Sequence, residues 1–379
     1  MRQWSNCWSI WVWSRRIFSL MTSVANSNRD NGITGLFNRA SFLLSALLLA
    51  TVLGLTGCDS SPEIITISGT KMGTSYSITV VADQPAPVDL EQRIEATLEM
   101  IDQSMSTYKT DSEISQFNAQ PVAEPQMISP QFADVLDISK LVWEQSDGAF
   151  DPTVGPLVDL WGFGPVLTDN VIPGDEQIAL ALENTGYQHL SIDMQMISKS
   201  SPIRLDLSAV AKGYAVDQIA DLLEMLALPD YLVEVGGEMR LSGSNPKGQP
   251  WRIAIEMPAI LPQVQQVISA HNAAIATSGD YRNYFEQDGV RYSHSIDPRT
   301  GKPIRHSLAS VTVVGETCAE ADAWATALMV LGEEQGMLLA EQLGLAIYML
   351  VKEGEEFKAI SSEAFAPYLI KSESIQQEP

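Results

Sequence analysis

The chain has 379 residues, room for one large domain or two ordinary ones, and 45% hydrophobic content, ample for a packed core. Its 47 acidic against 23 basic residues give a formal net charge of −24, a surface that repels nucleic acid and anionic headgroups. That excludes nucleic acid as a natural partner, and it means that a bound phosphate needs a metal ion or a local cationic pocket.

The first element is a leader. Phe42 to Leu55 is a short, weakly polar to apolar run preceded by Arg29 and Arg39, the pattern of a secretory signal and too short for a comfortable membrane span. Leu55-Thr56-Gly57-Cys58 resembles a bacterial lipobox, which implies acylation at the Cys58 thiol. Asp59 resembles an inner-membrane retention residue. The Trp-rich stretch before Met21 does not read as a signal, which makes Met21 a candidate start. Residues 1–57 are therefore expected to be leader and 58–63 a lipidated N-terminus with a short linker. Residues 64–370 are expected as one domain, and 371–379 as a frayed polar tail. Without the leader, 46 acids face 18 bases. Cys318 is then the one thiol besides Cys58, so no internal disulfide is available, and no spacing suggests zinc.

In chain order, Ile64–Ser68 and Ser75–Val81 read as strands around a turn at Gly69–Thr74. Leu90, Ile94, Leu98, Ile101 and Met105 recur at helical spacing behind Asp89, a candidate N-cap. A second helix is predicted from Pro130 to Asp147-Gly148, a third over Lys212–Leu226 and a fourth over Ala319–Leu331. Strands are predicted at 190–197, 231–235, 251–257, 264–269, 308–314 and 345–351. Hairpin-joined strands with segregated helices predict an α+β fold, one compact unit of mostly antiparallel sheets.

The densest polar chemistry lies between Thr277 and Pro303. A hairpin is predicted with Tyr281–Glu286 as one strand, Asp288-Gly289 as the turn and Val290–Ile296 returning. It carries Asp280, Arg282, Asn283, Arg291, Tyr292, Ser293, His294 and Asp297, then the turn Asp297-Pro298-Arg299-Thr300-Gly301. Such polarity is costly to bury unless a ligand or catalytic network satisfies it; a solvated edge hairpin is the competing reading. Of four histidines, His294 has the polar company suited to acid–base work, whereas His189, His271 and His306 lack it.

Four further segments are unusual. Met105–Ser115 carries Tyr108, with Asp111 or Ser112 as a simple helix cap in the competing reading. Gly148–Gly164 is dense in Gly and Pro, a rigid loop suited to cradling a flat ring or else a long connection. Leu205–Tyr214 is expected to lead from a strand into a helix, its N–H groups open to a phosphate and Lys212 adding charge, without the spacing of a Walker loop. Asp322 and Thr326 share a helix face, a carboxylate and a hydroxyl suited to a hard cation, or a cap and a filler.

Taken together these segments resemble the ApbE family, the FAD:protein FMN transferases. The resemblance rests on GTKMGTSY, MSTYKTDSEIS with FN, GAFDPTVGPLVDLWGFG, LDLSAVAKGYAVD, and TSGDYRNYF with RYSHSIDPRTGKP and ADAWATALMVLG, in that order over most of 64–350. It implies FAD as substrate, its pyrophosphate attacked by a Ser or Thr hydroxyl of an acceptor flavoprotein, giving phosphoester-linked FMN and AMP. It implies that Met72, Tyr108, Ala149, Phe150, Asp151, Asp206, Lys212 and Ile296 bind FAD. It further implies that the Ala209 carbonyl, Asp322 and Thr326 hold Mg²⁺, and that His294 is the general base. Ala325 stands where some relatives carry an extra acid, which implies an additional water on the metal. The implied acceptors are flavin-carrying subunits of membrane redox pumps of the Na⁺-translocating quinone reductase or Rnf type. The implied location is the periplasmic side of the bacterial inner membrane, through the lipid anchor. An FAD pyrophosphatase and a non-catalytic FAD-binding lipoprotein remain alternatives.

Overall fold

The computed structural model describes residues 62–165, 172–258, 263–280, 284–287, 290–354 and 356–370. The readings of the leader, Met21, Cys58, Asp59, the tail, and Tyr281, Arg282, Asn283, Asp288 and Gly289 lie outside the described residues.

The hairpin of β1 (Glu63–Lys71) and β2 (Thr74–Ala82) opens the described chain. Pairing continues to Lys71 opposite Thr74, so the turn is the two residues Met72-Gly73, both at positive φ (53° and 73°), and not the six predicted. Next comes α1 (Leu90–Met105), which buries all five apolar residues of its predicted stripe; each such side chain contributes roughly 1.5–3 kcal/mol. Asp89 stands at the N-cap, yet its carboxylate takes the Arg93 guanidinium at 2.9 Å and caps no N–H. α2 (Glu113–Ala119) is capped by Ser112, whose Oγ accepts from the Ser115 N–H at 3.2 Å.

Then follow β3 (Gln126–Met127), α3 (Pro130–Gln145), α4 (Gly155–Leu160) and α5 (Asp175–Leu182). The single strand predicted over 190–197 is two, β4 (Leu190–Asp193) and β5 (Met196–Lys199), because the chain reverses at Met194 with φ of 53°. α6 (Ala211–Met225), β6 (Asp230–Val235), β7 (Glu238–Ser242), β8 (Trp251–Glu256), β9 (Val264–Ala270) and β10 (Ala273–Gly279) continue the chain. The last third holds β11 (Tyr284–Gln287), β12 (Val290–Ser293), β13 (Ile296–Asp297), β14 (Lys302–Pro303) and β15 (Leu308–Gly315). It ends in α7 (Cys318–Leu343), β16 (Ala346–Glu353) and β17 (Glu356–Ser361).

Eight strands form one antiparallel sheet in the order β1-β2-β6-β7-β10-β15-β16-β17. One face is covered by α1, α6 and α7. The other is covered by the β8–β9 hairpin and Phe365. Both faces are buried along β15 and along Ala346–Val351 of β16: Val313 and Met349 face the helices, Val314 and Leu350 the opposite layer. The fold is α+β, with segregated helices on mostly antiparallel sheets.

The helix predicted to end at Leu331 does turn there, at Gly332 with φ 77° and ψ 179°, and resumes to Leu343. Only glycine adopts that backbone without strain, and a Cβ there would stand 2.9 Å from the His306 ring.

Candidate active site

A cavity of about 760 Å³ opens between the helix layer, the loop over 147–165 and the end of β12. Helix α3 stops where Asp147 and Gly148 turn to positive φ (53° and 73°), and the loop that follows is locked from within. Asp151 Oδ1 accepts from the Thr153 N–H at 2.8 Å and its hydroxyl at 2.6 Å, while Oδ2 accepts from the Tyr187 N–H at 3.1 Å. Burial pushes the Asp151 carboxyl up, and these three donors oppose that shift. The density of Gly and Pro thus gives one fixed cradle wall.

The strand predicted ahead of α6 does not form; only Arg204 bridges to Val154. The segment is held by side chains instead. Asn118 brackets Leu205, donating to its carbonyl at 2.9 Å and accepting from its N–H at 2.7 Å, as a neighbouring strand would. The buried Lys199 ammonium donates to the carbonyls of Phe117, Asn118 and Ile203 at 3.1, 3.1 and 3.3 Å. Asp206 Oδ1 accepts from the Ser208 N–H at 2.9 Å and its hydroxyl at 2.6 Å, shaping the turn into α6.

Helices α6 and α7 touch at Gly213. Its N–H donates to Asp322 Oδ2 at 3.1 Å, and Lys212 Nζ stands 3.7 Å from the same oxygen. The first turn of α7 is capped from α6: Asp217 accepts from the N–H groups of Cys318 and Ala319, both at 2.9 Å. Asp217 is in turn held by Arg240 at 3.1 Å. Sequence reasoning missed this cap because its partners lie about a hundred residues downstream.

Glu238, at the start of β7, is the other residue missed. It is 4% exposed and lines the cavity. Its Oε1 takes Lys212 Nζ at 2.7 Å, and its Oε2 is buried with no hydrogen-bond partner among the described residues. Burial, then the charge of Asp322, push the Glu238 carboxyl up to about 7. Burial likewise pushes Asp322 up. Burial acts against the Lys212 charge, but Asp322 and Glu238 outweigh it and hold the ammonium above its ordinary range. Two buried carboxyl groups thus share one lysine, and one of their oxygens is orphaned.

Among the described residues no three His, Cys, Asp or Glu side chains gather as a metal cage. The donors present are the Asp322 carboxylate, the Thr326 hydroxyl 3.3 Å from Ser278 Oγ, and the orphaned Glu238 oxygen. These are all hard oxygens, and Mg²⁺ is commonly held by one or two carboxylates with waters and substrate phosphates. The residues fit such an ion.

The site hairpin differs from the predicted one. Its strands are β11 and β12, paired Tyr284 to Ser293 and Phe285 to Tyr292, and the pairing breaks at His294 before β13. Much of its polarity is satisfied internally. Arg291 donates to the Asp280 carbonyl, and Asp297 takes the Arg299 guanidinium through two bonds of 2.9 Å. Asp297, expected beside His294, is therefore engaged in its own turn. A carboxylate that does feel His294 is Asp280: burial pushes it up, while Arg291, His306 and His294 oppose that. Stacked rings fasten the hairpin: Trp161 on Tyr292 (5.8 Å), Tyr292 on Phe285 (5.1 Å), Phe285 against Phe163 (5.7 Å), and Phe163 edge-on to His294 (6.3 Å). His306, set aside in the sequence, meets the Met329 carbonyl at 2.8 Å through Nε2.

The cavity gathers ten of the residues singled out: Tyr108, Ala149, Phe150, Asp151, Asp206, Ala209, Lys212, His294, Ile296 and Thr326. Two do not line it. Met72 sits at the tip of the β1–β2 turn, and Asp322 is buried one helical turn before Thr326, against Lys212 and Gly213.

A model of the ApbE family matches residues 72–349. A Vibrio cholerae protein named FAD:protein FMN transferase is 47% identical over 328 residues, covering 85% of this chain and 98% of the relative. One of the same name from Escherichia coli K12 is 42% identical over 342 residues, covering 86% and 97%. Among solved structures, the flavin transferase ApbE from Vibrio cholerae superposes with a TM-score of 0.76 at 44% identity, covering 81% of this chain and all of that one. The Pseudomonas stutzeri flavinyl transferase ApbE, in its apo form, gives 0.76 at 41%, covering 81% and 97%. The ordered motifs, the sheet architecture and the near-complete coverage of these relatives lead to one conclusion: this chain belongs to the ApbE family.

Proposed function

We propose that this chain transfers FMN from FAD to a Ser or Thr hydroxyl of an acceptor flavoprotein, forming a phosphoester and releasing AMP, with Mg²⁺ required. The observation that carries the reading is that Lys212 of α6, Thr326 of α7 and His294, just past β12, line one cavity large enough for a dinucleotide. The names of the relatives support it.

In this reading the loop over 148–164 and Tyr108 orient FAD, and Lys212 faces its diphosphate. The Ala209 carbonyl, Asp322 and Thr326 would hold Mg²⁺, with Glu238 completing the charge of the site. Bound there, the ion supplies neutralisation of the diphosphate and of the departing phosphate. A ring nitrogen of His294 takes the hydroxyl proton of the acceptor as its oxygen attacks the phosphorus on the riboflavin side. The bond to the AMP phosphate breaks, and the proton passes from the imidazolium to AMP or solvent.

The acceptors proposed are flavin-carrying subunits of membrane redox pumps, of the Na⁺-translocating quinone reductase or Rnf type. The location proposed is the periplasmic face of a bacterial inner membrane, through acylated Cys58. Incubation with FAD, Mg²⁺ and such a subunit is expected to give a flavin-fluorescent acceptor band on a denaturing gel. Free FMN and AMP without a labelled band would identify a pyrophosphatase, and unchanged FAD a binding protein; either would overturn transfer.

A further inference from the structure

A second cavity, of about 520 Å³, lies beside the hairpin that carries His294. Arg291, Arg305, Lys352 and His306 line it; Arg291 stands 3.8 Å from Asp280, the one carboxylate among the described lining residues, and His306 Nδ1 stands 3.9 Å from Glu333, which leaves Arg305 and Lys352 as its uncompensated charges. In a chain with twice as many acids as bases, this is a local inversion of charge. Most basic side chains elsewhere are matched by carboxylates, as Lys71, Lys109, Lys212, Arg240 and Arg299 are. Arg305 and Lys352 have no carboxylate partner among the described residues; Arg305 lies over the Tyr292 ring, 5.5 Å from its centre. Arg291 is fixed over the Tyr284 ring at 4.0 Å.

The second cavity and the first share one strand end. Ser293 lines the cationic cleft, and His294, the next residue, lines the active-site cavity. These two consecutive residues line different cavities, so a ligand in the cleft lies one residue away from the proposed base. A small substrate held wholly in the first cavity needs no such neighbour. A polypeptide that must offer a hydroxyl to His294 needs an anchor outside the cavity, and unmatched cations select acidic side chains for it. Overall the enzyme repels an acidic partner, so this cleft is where such a partner is oriented.

We infer that the cleft lined by Arg305 and Lys352 docks an acidic segment of the acceptor polypeptide next to the hydroxyl that receives FMN. The inference rests on the transfer reading. Its test uses the full chain, FAD, Mg²⁺ and the acceptor subunit, comparing wild type with the double variant Arg305→Glu/Lys352→Glu and with the milder Arg305→Gln/Lys352→Gln. Both positions are exposed, so folding is not at stake. The expected result is a rise in KM for acceptor of about tenfold in the charge reversal, less in the neutral pair, with kcat and FAD affinity unchanged. Added salt raises the wild-type KM and leaves that of the reversed enzyme flat. Changing acidic residues near the labelled hydroxyl of the acceptor to amides reproduces the defect with wild-type enzyme. An unchanged KM in the charge-reversed enzyme overturns the docking cleft alone. Inhibition by inorganic phosphate that the reversal abolishes, with acceptor KM unchanged, makes it a small-anion site and overturns it too. If the wild type labels no acceptor, the transfer reading fails and the cleft's role with it.

Discussion

The N–H of Gly213 donates to Asp322 Oδ2 across 3.1 Å, and a β-carbon on Gly213 would stand 2.3 Å from the Cys318 carbonyl oxygen. The missing side chain is what lets α6 and α7 touch and brings Lys212 up to Asp322. Gly213→Ala is expected to part the helices at a cost of roughly 1–3 kcal/mol. Thermal unfolding measures the loss, and weakened Mg²⁺-dependent stabilisation would mark the displaced Asp322. A variant as stable as the wild type would show that the contact relaxes freely.

His294→Ala is expected to keep FAD affinity and lower transfer roughly 10²- to 10⁴-fold, the usual range for a general base. Titration of flavin absorbance separates binding from the gel assay of transfer. A variant that transfers at the normal rate would remove His294 from the mechanism.

The metal-free protein is expected to lose stability as pH rises from 4.5 towards about 7. The sign follows from the raised carboxyls of Glu238 and Asp322: the folded state holds their protons more tightly than the unfolded state does. That stabilisation is complete below the ordinary carboxylate value and is lost as pH passes the raised one. Unfolding temperatures in chelator across this range should fall less steeply for Glu238→Gln. Restoring Mg²⁺ should raise the unfolding temperature more at the alkaline end. Parallel profiles for wild type and variant would refute the assignment to Glu238.

Asn118→Ala should cost about 1–3 kcal/mol, because it strips both backbone partners from Leu205 inside the protein. The same variant should weaken FAD binding, since Leu205 leads directly into Asp206. Unfolding in urea and flavin titration test the two effects separately.

Local periodicity made α1 and α3 legible, since their apolar stripes repeat within one helix. The hairpin edges and β10 were harder. Ala273 to Gly279 is a run of small residues around Ile275, whose strand character comes from burial between two layers, which no alternation marks. Glu238 was invisible for a related reason. Nothing beside it in sequence distinguishes it from a solvated glutamate; Lys212 and Asp322, which give it meaning, arrive from distant helices. The loop motifs could be read as ordered signatures, but their rigidity could not. That comes from donors such as Tyr187, thirty-six residues beyond Asp151.

The chain of stacked rings from Trp161 through Tyr292 and Phe285 to Phe163 ends at His294. Coupled chromophores so arranged give a chiral signal in the near ultraviolet. Any shift of the imidazole's support should therefore alter the circular dichroism spectrum, reporting the posture of the β12 end in unlabelled protein.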